Sequence, residues 1–70
     1  MSYFEEQKLR AMTTDSLYVA IGCYGSMVES VAIDMGTDAA FDEDRCFDAF
    51  LAIRAVREHI AEKWGAPCNV

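Results

Sequence analysis

Between Leu17 and Met35 the chain places apolar side chains at Leu17, Ile21, Tyr24, Val28, Val31 and Met35, in alternating steps of four and three. That spacing keeps one stripe of a 3.6-residue helix apolar from end to end, which the period of two in a strand does not do. "LYVAI" is rich in β-formers, but a strand there leaves the sustained heptad unexplained. Helix is the expectation for 17–35. Gly22 and Gly25 stand inside it, each weakening a helix by up to about 1 kcal/mol relative to alanine. Gly22, Ser26 and Ser30 recur every four residues beside the seam, where small side chains let another helix backbone come close. A local kink or break at the glycines is the competing reading.

Local signals set the remaining boundaries. Ser2 followed by Glu5 fits a capping box, so a helix is expected from Tyr3. "MTTDS", residues 12–16, is a weak point at which Thr13 or Thr14 can cap a fresh helix. The first helical region, about 3–35, is therefore expected either whole or broken there. Gly36 sits where a C-cap belongs, and Thr37 or Asp38 can cap a short turn. A second helix is expected over about 42–64, with Asp42, Glu43 and Asp44 in its first turns, where negative charge complements the macrodipole. Its seam runs through Cys46, Phe50, Ile53, Ile60 and Trp64, widened by Phe47, Ala49 and Val56, with Arg57 on the rim. Lys63, Gly65 and Pro67 supply the cation, left-handed residue and breaker that end a helix, leaving 65–70 as a loose tail.

The two long helices, about 28 and 34 Å at 1.5 Å per residue, match well enough to pack antiparallel. The expected fold is thus all-α, one domain over 1–70 built as a helical hairpin. A chain of 70 residues hides only roughly 60% of its unfolded surface, yet 53% of this one is apolar. Each seam in a lone hairpin is covered on one side only. Two hairpins cover both, so a homodimeric four-helix bundle is expected. Its interface is assigned to Leu17, Ile21, Gly22, Tyr24, Val28, Val31, Phe50, Ile53, Ile60 and Trp64.

Chemistry-bearing residues are sparse. Cys23, Cys46 and Cys68 form no C-x-x-C pair, so free thiols in a reducing compartment are expected, with an intermolecular disulfide through Cys68 as the alternative. His59 has Glu62 one turn on, but Val56 stands where a di-iron bundle carries glutamate; a solvated surface histidine is expected. No phosphate-cradling or nucleophile-elbow motif occurs. The chain is expected to be no enzyme and to use no cofactor or metal.

Six basic against twelve acidic residues give a net charge of -6, which disfavours direct nucleic-acid binding. A helix-turn-helix over "VAIDMGTDAAFDEDRCF" would enter the groove with "DEDR", carboxylates where phosphates must be met. The acidic start "MSYFEEQKLR" does not suit a signal peptide. The longest uncharged stretch, Ser16 to Val28, falls short of the roughly 20 residues a membrane span needs. A cytoplasmic location follows as the expectation.

Two groups remain as candidate partner-binding residues. Asp42, Glu43, Asp44 and Asp48 read either as a solvated helix start or as a dock for a basic partner. Tyr3, Phe4, Leu9 and Met12, out of register with the later heptad, read either as a cap on the bundle or as an apolar binding face. In format, the paired seams "LYVAIGCYGSMVESVAIDMG" and "CFDAFLAIRAVREHIAEKW" resemble small phage-encoded proteins that disable host machinery, anti-CRISPR and anti-quorum-sensing proteins among them. In particular, they look like the dimeric two-helix build of a phage anti-quorum-sensing protein. The resemblance implies a non-enzymatic inhibitor that binds a host transcriptional activator of the LuxR type and blocks its DNA binding. An acidic DNA mimic and a purely structural dimerisation module are the alternatives.

Overall fold

Ser2 opens the first helix as its neighbours require. In the computed structural model, which describes residues 1–35 and 43–65, Ser2 is extended and its Oγ accepts a hydrogen bond from the Glu5 N–H at 3.2 Å. Helix α1, Tyr3–Thr13, then carries Glu5 and Glu6 in its first turn and Arg10 in its last, each sign complementing the macrodipole. The chain leaves the helix at Thr14, which is extended and whose N–H donates to the Arg10 carbonyl at 3.0 Å.

The weak point at 12–16 is a break. Helix α2, Leu17–Met35, starts afresh beyond it, and helix α3, Glu43–Trp64, follows. Among the described residues there are thus three helices and no strand, where two long helices were one expectation. The cap of α2 also differs from the residues singled out for it. Thr13 donates its hydroxyl to the Leu9 carbonyl at 2.9 Å, and Thr14 Oγ1 accepts from the Ser16 N–H at 3.1 Å. Ser16 is the cap: its Oγ accepts from the Val19 N–H at 3.3 Å and its carbonyl from the Ala20 N–H at 3.0 Å. α2 runs unbroken through Gly22 and Gly25, so neither glycine breaks it. At the far end of α3, Gly65 takes φ +62°, the left-handed conformation that ends a helix most cheaply in glycine. Gly36, Thr37, Asp38, Asp42, Pro67 and Cys68, and the caps and bridge assigned to them, lie outside the described residues.

α1 folds back on α2 and α3 packs beside both, with the α1–α2 contact the most extensive. The core comprises Ala11 of α1, Ala20, Cys23 and Met27 of α2, and Val56 and Ile60 of α3, flanked by Phe4, Met12, Leu17, Val19, Tyr24, Ala52, Ile53 and Trp64. This is not the register the heptad implied. On α2 the buried positions are Ala20, Cys23, Met27 and Val31, whereas Ile21 and Val28 are exposed. On α3, Val56, placed on the margin of the seam, is fully buried, and Phe50 is exposed. The cause is α1: it packs on α2, and the side of α2 that carries Ala20, Cys23 and Met27 becomes the interior around Ala11.

Candidate interaction surfaces

Helical geometry places α1 relative to the hairpin of α2 and α3. Ser26 and Ser30 of α2 share a cleft with Tyr3, and Ala49 and Ala52 of α3 share a groove with Phe4 and Lys8. At about 100° per residue, Leu17, Ile21, Tyr24 and Val28 lie within about 40° of the direction opposite Ser26. Phe47 and Phe50 lie as close to the direction opposite Ala52. The hairpin therefore has an inner side closed by α1 and an outer side on which Leu17 and Tyr24 are half-buried against the core while Ile21, Val28, Phe47 and Phe50 stay exposed. On that outer side Ile21 is 51% exposed, Val28 42%, Phe47 61% and Phe50 47%.

The residues assigned to a dimer interface divide accordingly. Val31 and Ile60 are buried within the chain. Leu17, Tyr24, Ile53 and Trp64 are half-buried against the core. Ile21, Val28 and Phe50 form the bare outer side. Gly22 is exposed but points away from it, and a Cβ built on Gly22 or Gly25 meets nothing within 4 Å. Within one chain, then, no described helix approaches either glycine closely enough to need it.

The apolar residues of α1 also separate. Phe4 and Met12 pack against the core and cap it, while Tyr3 and Leu9 are exposed on different faces. Of the acidic group, Asp48 is exposed. Asp42 lies outside the described residues, as do the side chains of Glu43 and Asp44. Asp48 does line the open groove of about 350 Å³ between α1 and the hairpin, together with Glu5, Lys8, Asp34 and Cys46. Cys46 is half-buried and Cys23 buried, both free thiols.

His59 is not the solvated histidine expected. It is half-buried, edge-on to the Trp64 ring with centroids 6.4 Å apart, and its Nε2 is buried without a hydrogen-bond partner. Next to it, Lys63 donates to the Thr14 carbonyl at 2.8 Å and to Asp15 Oδ1 at 3.2 Å, with its Nζ 4.9 Å from the Trp64 ring centroid. Sequence reasoning placed Lys63 only as a helix-ending cation. In the fold it ties the α1–α2 turn to the end of α3, a contact across nearly the whole chain that no local spacing signals.

Among the described residues no group of three or more histidines, cysteines or carboxylates is placed to hold a metal ion. No described helix is long and apolar enough to cross a membrane. Comparison with family models, curated proteins and solved structures returns no match.

Proposed function

We propose that the chain is a non-catalytic inhibitor, working as a homodimer of hairpins, that binds a host protein and blocks that protein's access to DNA. The observation behind this reading is the apolar surface left over once the core is made. Besides the bare outer side of the hairpin, Tyr3, Leu9, Tyr18 and Ile33 stand exposed on α1 and α2. A monomer of ordinary composition rarely leaves contiguous apolar surface beyond a few hundred Å² unless something binds there. The net charge of -6 would steer the protein toward a basic partner, such as a DNA-binding regulator of the LuxR type, and against the nucleic acid itself. Occlusion requires no positioned acid, base or metal; a few buried apolar anchors carry most of such an affinity.

The test is capture with the tagged, full-length chain in its native host. A stoichiometric complex with a DNA-binding regulator, whose operator binding falls as the chain is titrated in, supports the reading. Operator binding unaffected at saturation refutes it. The DNA-mimic alternative rests on the acidic group Asp42, Glu43, Asp44 and Asp48. It predicts capture of a nucleic-acid-processing complex in a manner that weakens steeply with salt.

A further inference from the structure

We infer that the outer side of the α2–α3 hairpin is the seat of a second copy of this chain, related by a two-fold axis parallel to the helices, so that each α2 lies over its partner's α3. This rests on the reading of the protein as a homodimer, but not on the identity of any host protein.

Three observations carry it. The first is area. α2 and α3 have 19 and 22 residues, so the hairpin face is roughly 28 Å long and about 20 Å across, two helix widths. That footprint, on the order of 600 Å² before corrugation, approaches the roughly 800 Å² per partner of a standard stable interface. A peptide or a single helix would leave half of it wet.

The second is thickness. The molecule measures 39 × 26 × 16 Å, and its shortest dimension has room for two helix layers about 8–10 Å apart but not for a third. α1 can close one side of the hairpin only. α2 remains apolar around most of its circumference, with Glu29 and Asp34 as its only charged residues. A helix with this pattern is covered on more than one side.

The third is charge, and it selects the axis. The outer side of α3 carries Arg54, paired with Glu58 at 3.1 Å, and the exposed Arg57 beside Phe47 and Phe50. The outer side of α2 carries no charge: Leu17, Ile21, Tyr24 and Val28 make it up, with Gly25 on its margin. A two-fold perpendicular to the helices would stack α3 on α3 and set the arginines of the two copies against each other. A two-fold along the helices sets α3 on the uncharged α2 instead. Val31 lines the same groove as Ala49, and Asp15 at the head of α2 binds Lys63. These levels bring the partner's Val28 opposite Phe50, and place the partner's Gly25, which has no side chain, opposite Arg54.

Sedimentation of the purified chain at high micromolar concentration should give twice the 7.8 kDa chain mass. Val28→Lys and Phe50→Glu, both at exposed positions and so tolerated by the fold, should each lower dimer affinity at least tenfold. Mixed in equal amounts, the two variants should pair with each other. In that mixed dimer, the ammonium introduced on α2 of one chain meets the carboxylate introduced on α3 of the other, while the second α2–α3 contact stays native. A wild-type chain that sediments as a single copy overturns the proposal. A wild-type dimer whose two variants fail to pair in mixture overturns the axis. Neither result touches inhibitor activity, which is read separately by capture and operator binding.

Discussion

Met27 and Val28 are neighbours on α2, and the structure assigns them opposite energetics. The heptad puts Val28 in the seam and Met27 beside it; the fold buries Met27 completely and leaves Val28 42% exposed. Truncating a fully buried methionine to alanine costs about 2–5 kcal/mol, transfer and cavity terms together. A 70-residue domain at about 0.05–0.15 kcal/mol per residue has only about 4–10 kcal/mol in hand. Met27→Ala should therefore remove between about a fifth and all of the stability. With about 4–8 °C lost per kcal/mol in a domain of this size, the melting midpoint should fall by at least about 8 °C or the chain should fail to fold.

Val28→Ala deletes two methyl groups, worth about 1.6 kcal/mol at about 0.8 kcal/mol each in full burial, and only part of that at a half-exposed site. In a dilute monomer it should cost about 1 kcal/mol or less. Circular-dichroism melts of both variants, run across a wide range of protein concentration, separate the cases. The Met27→Ala deficit should persist at every concentration, whereas any larger Val28→Ala deficit should grow with concentration as pairing sets in. If Val28→Ala proves as damaging as Met27→Ala in dilute solution, the register described for α2 is wrong and the heptad seam faces inward.

Four other substitutions test separate contacts. Gly22→Ala should stabilise the isolated chain by about 0.8–1 kcal/mol, since a Cβ there meets nothing within 4 Å, and should leave sedimentation unchanged; a lower melting midpoint would reveal a neighbour at that face. Lys63→Met should cost about 1 kcal/mol through the Thr14 carbonyl and the Trp64 ring, while Asp15→Asn, at a fully exposed carboxylate, should leave the urea midpoint where it was. His59→Phe keeps the edge contact with Trp64 and removes a buried, unpartnered nitrogen, so it should be neutral or stabilising in the same urea titration; a loss would mean that Nε2 has a partner in solution.

What was legible in the sequence was local. Ser2, Thr14, Ser16 and Gly65 act on backbone groups within four residues of themselves, so their types and positions suffice to mark where helices start and stop. The break at 12–16 was visible as a cluster of capping residues, although the choice of Ser16 over Thr13 and Thr14 was not. The core register was hidden for a different reason. Ala11 and Ala20 contribute little hydrophobicity, so no periodicity points to them, yet both are fully buried where α1 settles on α2. Once it does, Cys23 and Met27 become interior, and Ile21 and Val28, the more strongly apolar pair, are left outside. The interaction surface was legible as a list and not as a surface. Ile21, Val28 and Phe50 were marked by their spacing, but the same list included Val31 and Ile60, which the chain buries by itself.

α1 reconciles the two apolar patterns on α2. A hairpin alone would bury its heptad seam between α2 and α3 and expose Ala20, Cys23 and Met27. With α1 present, those three residues and Val56 turn inward around Ala11, and the seam is rotated toward the open side, keeping Leu17 and Tyr24 at its inner edge. Polar residues in place of Ile21, Val28, Phe47 and Phe50 would cost this core almost nothing, because none of them belongs to it or flanks it. Apolar side chains at all four, beside a chargeless stretch of α2 in a chain that carries twelve acidic side chains elsewhere, are what a second interface requires and a solvated face does not. In the proposed pair α1 occupies the outside, where Tyr3 and Leu9, exposed in the single chain, are open to a different protein. On this arrangement, self-association and partner capture fall on opposite sides of the hairpin, and substitutions at Ile21 or Phe50 should impair the first before the second.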